Sequence, residues 1–126
     1  MISEKNYIWV INIDAHTKEV GYVQVDRSYE NMKKILKTDT IQAQKLNQKF
    51  PVYMLMDENA RLWCEGEKLF FRLSHWTLVN RVILVGIADD GEWADVPLEL
   101  SDIISEVEFL PIDYVDAPPE PEFIKW

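Results

Sequence analysis

The sequence predicts an α+β domain: a mostly antiparallel sheet of five to seven strands with two short helices packed on it. Three observations carry this reading. Short runs rich in β-branched and aromatic residues recur along the chain, and residues 82–88 are the most apolar of them. Clusters of turn-forming residues at 14–18, 57–60 and 89–92 separate these runs at hairpin distance. Only two stretches, 29–37 and 102–107, carry apolar residues at helical spacing on one stripe.

The elements follow in order. Residues 7–13 suit a pleated, half-buried strand, and the polar loop 14–18 turns the chain back into residues 19–25, giving an N-terminal hairpin. Ser28 stands just ahead of the first helical stripe, where its hydroxyl can meet a free backbone N–H as N-cap. In that helix Met32, Ile35 and Leu36 share the inward stripe, while Lys33, Lys34 and Lys37 lie on or beside the other face. Residues 40–46 fit either a strand or a short helix, with strand favoured. Residues 52–56 form a strand after Pro51, and Asp57, Glu58, Asn59 and Ala60 supply turn chemistry before a partner strand at 61–64. The apolar connector 68–80 has no assigned type. Residues 82–88 read as a central strand, since such a run calls for burial on both faces. Asp89, Asp90, Gly91 and Glu92 form a hairpin turn in which Gly91 supplies the positive φ, and residues 93–96 return as its short partner. Ser101 is placed to cap a helix over 102–107 with Ile103, Ile104 and Val107 inward, and 109–112 adds an edge strand.

At 126 residues the chain is long enough for one domain and one core without staples. The expected body is 1–112. Four of the six prolines fall in the last sixteen residues, which marks 113–126 as an acidic, proline-rich tail. Cys64 is the single cysteine, so no intrachain disulfide is possible and a reducing compartment is expected. The N-terminus has no secretion-signal pattern, and the longest apolar run falls far short of the ~20 residues of a membrane span. The expectation is a cytoplasmic protein with no membrane contact.

Charge is distributed unevenly. Residues 87–126 hold twelve carboxylates and one base, a sum of −11, against +2 for residues 1–86. That asymmetry suggests a surface directed at something cationic, or at something that expects a polyanion. A direct nucleic-acid binder normally carries a basic surplus, and this chain has the reverse.

The reactive constellations are weak. His16 and His75 stand 59 positions apart and Cys64 has no partner, so metal-ligand spacing is missing. The acids around Gly91 lack the alternating oxygen positions of a calcium loop. Gly21, Gly66, Gly86 and Gly91 are too dispersed to cradle a phosphate. No serine sits in a nucleophile elbow. The expectation is no enzyme, no cofactor and no metal.

Two surfaces and a tail remain. The acidic surface comprises Asp89, Asp90, Glu92, Asp95, Glu99, Asp102, Glu106 and Glu108, read either as solubility or as a grip on a basic protein. The basic face of the first helix reads as solvated. In the tail, Phe123, Ile124 and Trp126 either dock back on the body or anchor a partner. An alternative ligand pocket for a nucleotide signal would combine Trp63, Phe70, Phe71, His75 and Trp76 with Arg72 or Arg81, although core packing is the favoured account of the aromatics.

Residues 52–110 also carry a family resemblance. Met54, Leu55 and Met56 lead into Asp57, Glu58, Asn59, Ala60, Arg61 and Leu62. Val82, Ile83, Leu84, Val85 and Gly86 follow, then Asp89, Asp90, Gly91, Glu92 and Trp93, and then Val96, Pro97 and Leu98 before a short helix. This arrangement resembles the phage-enriched family called domain of unknown function 3846. The resemblance implies a viral or mobile-element origin, an α+β fold and no established activity, and it transfers no functional residues.

The reading that follows is a non-catalytic acidic interaction protein that binds or inhibits a basic partner, for example a nucleic-acid-binding host protein. The alternatives are a small-molecule sequestering module and an immunity protein against a toxin nuclease.

Overall fold

The hairpin that opens the chain pairs β1 (Tyr7–Asp14) with β2 (Glu19–Asp26) across all eight positions without a bulge. Its loop is held by Asp14, whose Oδ1 accepts from the backbone N–H of His16 at 2.8 Å and of Thr17 at 3.4 Å. Lys18 closes the turn at φ 56°. This computed structural model describes residues 7–46, 51–58 and 68–114. Helix α1 (Tyr29–Leu36) begins at Ser28, whose Oγ accepts from the Asn31 N–H at 3.1 Å, as the N-cap expectation required. Next come β3 (Ile41–Lys45) and β4 (Tyr53–Asp57), so the ambiguous stretch at 40–46 is a strand. The partner strand expected at 61–64 lies outside the described residues.

The connector 68–80 resolves into a second hairpin, β5 (Phe70–Leu73) and β6 (Trp76–Val79), with Ser74 at φ 57° in its turn. Then follow β7 (Arg81–Ile87), β8 (Trp93–Ala94), α2 (Leu100–Ile104) and β9 (Val107–Phe109). The second helix departs from expectation. It ends before Val107, and its N-cap is Glu99, which makes no side-chain capping bond, rather than Ser101. Ile103 is buried but Ile104 is 51% exposed. Tertiary pairing explains the early stop: Val107 lies opposite Leu73 in β9, so its backbone serves a sheet ladder instead of a helical turn. The edge strand accordingly occupies 107–109 instead of 109–112.

The strands divide between two antiparallel sheets. The larger has the order β2-β1-β7-β4-β3, with β8 attached to the end of β7; the smaller is β6-β5-β9. Strand β7 sits in the middle, flanked by β1 and β4. Val82, Ile83, Leu84 and Val85 are all fully buried, which requires an apolar cover on each face.

The covers differ. Ile83 and Val85 meet Ile8, Val10, Val25 and Leu55 under Met32 and Leu36 of α1. Val82 and Leu84 point the other way, to Ile11, Ile13 and Met54, against Phe71, Leu73 and Leu78 of the small sheet and Ile103 of α2. The result is a layered α+β domain with α1 on one face of the large sheet and the small sheet with α2 on the other. Tyr114, assigned from sequence to the tail, packs tilted against Phe70 with ring centroids 5.2 Å apart and planes at 56°, so packed structure continues through it.

Candidate interaction surface

The acidic stretch begins in the turn between β7 and β8. The Glu92 carbonyl accepts from the Ala88 N–H at 2.8 Å, the Asp90 carboxylate accepts from the Glu92 N–H at 3.0 Å, and Gly91 takes φ 86°. This local bonding leaves Asp89, Asp90 and Glu92 exposed at one end of the large sheet. Asp95 follows β8, Glu99 caps α2 without a side-chain bond, and Asp102 lies in that helix's first turn. Glu106 precedes β9, where its carbonyl accepts from Ser74 N–H at 3.1 Å. Glu108, within β9, faces Arg72 of β5 in register, at 3.5 Å. Among the described residues, no ion pair involves Asp89, Asp90, Glu92, Asp95, Glu99, Asp102 or Glu106. All seven but Glu106 are exposed. Along the chain they run from the β7–β8 turn through α2 to the start of β9, so the acidic ridge, as this series is called below, is distributed over elements of both layers.

Beside this ridge lies a feature that the sequence reading missed. The pairing of β1 with β7 ends at Ile11 opposite Leu84. Beyond that point β8 and its continuation pair with the end of β7 and with β1. Gly86 and Ile87 of β7 face Ala94 and Trp93, while Trp9 donates its N–H to Asp95 Oδ1 and accepts from Val96 N–H, each at 2.8 Å. Gly86 makes the approach possible, because a Cβ there would collide with the Asp95 carbonyl oxygen and sit 3.1 Å from Pro97 Cδ. Tyr22, on β2, donates its hydroxyl to the Leu98 carbonyl. Trp9, Tyr22, Asp95 and Val96 thereby line a shallow cleft of about 420 Å³. Trp9 is 45% and Tyr22 41% exposed, and Tyr7 on the same face is 55% exposed. An aromatic wall beside a carboxylate suits the ammonium or guanidinium of a lysine or arginine, through ring quadrupole and charge together.

The residues of the alternative ligand pocket do not converge. Trp63 lies outside the described residues, as do Phe123, Ile124 and Trp126 of the tail. Trp76 donates its indole N–H to the Leu46 carbonyl at 2.6 Å and packs into the core, and His75 is exposed in the β5–β6 turn. Arg72 faces Glu108, whereas Arg81 sits on the large sheet in a partly buried pair with Asp14 at 3.2 Å. The two arginines are therefore committed to carboxylates on different sheets, and Phe70 and Phe71 are buried.

His16 and Asp14 are likewise engaged in structure. His16 Nε2 meets Asn80 Oδ1 at 2.8 Å, and that oxygen also accepts from the Leu69 N–H at 3.0 Å. On the basic face of α1, Lys33 reaches Glu30 at 3.0 Å and lies 5.3 Å from the Tyr29 ring centroid, which stacks on Trp93 at 6.3 Å. The hydrogen bond to Glu30 holds the Lys33 ammonium above its ordinary pKa. Among the described residues there is no group of three or more metal-ligating side chains, and no helix is long and apolar enough to cross a membrane. Comparison with family models, with curated proteins and with solved structures finds no match for this chain.

Proposed function

We propose that this chain is a non-catalytic interaction module of phage or mobile-element origin that grips a basic partner protein through its acidic ridge. One observation carries the reading: seven carboxylates between Asp89 and Glu106, six of them exposed, of which none forms an ion pair among the described residues. Carboxylates kept for solubility alone need no ordered neighbour. Here Asp95 is fixed by the Trp9 N–H and adjoins two exposed aromatic rings. The ridge supplies long-range attraction and speeds encounter, and the Trp9–Tyr22 cleft receives one cationic side chain at short range. A nucleic-acid-binding protein is the partner class that such a polyanionic field fits, because its basic groove already accepts regularly spaced negative charge.

The test uses a labelled oligoarginine peptide as probe, followed by fluorescence anisotropy. Asp95→Asn with Glu99→Gln should weaken binding about tenfold at low salt, and raising salt from ~0.05 M to ~0.5 M should weaken the native chain at least as much. Affinity that is flat in salt and indifferent to both substitutions would reject the proposal.

A further inference from the structure

The carboxylate of the Trp9–Tyr22 cleft is held in one orientation, and a fixed carboxylate favours one kind of cation over another. Asp95 is exposed, yet its Oδ1 accepts from the Trp9 N–H at 2.8 Å, and among the described residues the group has no other partner. An ionised carboxylate offers about four lone-pair sites, so one N–H leaves an edge of it open. The rest of the lining is apolar or already engaged. The Tyr22 hydroxyl donates to the Leu98 carbonyl, the Trp9 carbonyl accepts from the Val96 N–H, and Trp9 and Val96 add an indole ring and an aliphatic side chain. In the β1–β2 register Trp9 lies opposite Gln24 and Ile11 opposite Tyr22, so the two rings belong to diagonal neighbours on one face. Such positions stand about 7–8 Å apart.

We propose that the cleft is an arginine-selective site, taking a guanidinium in preference to a lysine ammonium. The inference rests on the basic-partner reading and narrows it to a partner that presents an exposed arginine. An ammonium is a compact, strongly hydrated charge with three diverging donors. Against this lining one donor would meet Asp95 while the others faced rings and a valine, which cannot replace the water given up. A guanidinium is weakly hydrated and carries its donors in its plane, with none on its faces. It sets two parallel N–H groups on the open carboxylate edge and lays a face on an aromatic ring. The methylene stem then covers the second ring. Holding Asp95 by the Trp9 N–H favours such a directional pair, because the carboxylate has little freedom left to lose on binding. A point charge gains little from that orientation.

Labelled hexa-arginine and hexalysine, titrated with the full chain and followed by fluorescence anisotropy, test it. The two peptides carry the same charge, so the ridge attracts both alike and their affinity ratio reports the short-range site. The native chain should prefer hexa-arginine about threefold to fivefold. Trp9→Leu, which removes a half-exposed ring, should bring the ratio near one while changing hexalysine affinity less than about twofold. Asp95→Asn keeps an acceptor for the Trp9 N–H but loses the charge, and it too should remove the preference. Glu99→Gln with Asp102→Asn, on the ridge alone, should weaken both peptides and leave the ratio intact. Equal, salt-sensitive affinity for the two peptides would overturn arginine selectivity while leaving the basic-partner reading standing. A preference unchanged in both Trp9→Leu and Asp95→Asn would overturn the assignment to this cleft, and a chain that binds neither peptide would bring down both readings. Circular dichroism of each variant verifies that the fold is retained.

Discussion

Replacing Gly86 by alanine puts a methyl group where the chain crosses itself. The added Cβ would collide with the Asp95 carbonyl oxygen and lie 3.1 Å from Pro97 Cδ. A peptide oxygen and a proline ring have no alternative rotamers, so the 95–97 segment itself must move. Moving it strains two bonds to β1, Val96 N–H to the Trp9 carbonyl and Trp9 N–H to Asp95 Oδ1, both 2.8 Å. The first is worth about 1 kcal/mol and the charge-assisted second about 1.5–3 kcal/mol. Overpacking adds about 1–3 kcal/mol. Alanine restricts the unfolded chain, which returns about 0.4–1 kcal/mol. The expected net loss is about 2.5–6.5 kcal/mol, or a fall in Tm of roughly 10–25 °C for a chain of this length. Urea unfolding followed by tryptophan fluorescence and circular dichroism measures it. Gly21→Ala is the control: nothing lies within 4 Å of its added Cβ, and its expected effect is within about 0.5 kcal/mol of zero. A loss below about 1 kcal/mol at Gly86, or equal losses at the two glycines, would refute the argument from close approach.

Substitutions at two further positions test the frame. Asn80 stands at φ 63° and its Oδ1 serves both His16 Nε2 and the Leu69 N–H, so Asn80→Ala should cost about 3 kcal/mol by denaturant titration, and Asn80→Gly should recover about 1 kcal/mol of that by relieving the backbone. Asn12 buries Oδ1 without a hydrogen-bond partner; Asn12→Leu, which removes the polar group at similar shape, should raise stability by about 1–2 kcal/mol, and a decrease would contradict the unsatisfied-carbonyl reading.

Elements ruled by neighbouring residues were legible in the chain itself. The β1–β2 hairpin, the Ser28 cap and the Asp89–Glu92 turn each depend on side chains bonding their own backbone within a few positions. The central place of β7 was also legible, because a run apolar on both faces has few other destinations. Residues 68–80 and 102–107 were not, since their apolar spacing permits several pairings. The β5–β9 ladder decided between them. Of the candidate surface, the acidic residues were readable as composition, but the Trp9–Tyr22 cleft was not. Tyr7 and Trp9 share a strand face with Ile11 and Ile13, so alternation gives all four the same side.

By itself, then, the sequence determined the α+β class, the short-range turns and caps, the apolar central strand and the charge asymmetry, all consequences of interactions between near neighbours or of simple counting. Tertiary structure alone decided that the strands split into two sheets, that β8 enters where β1 parts from β7, and that Trp9 stays at the surface while Ile11 is covered. The physical reason is the cover: a side chain's direction follows from strand periodicity, but its burial depends on which distant segment arrives above it. Over Ile11 and Ile13 the small sheet and α2 arrive, and over Trp9 the chain leaves an open cleft edged by Asp95.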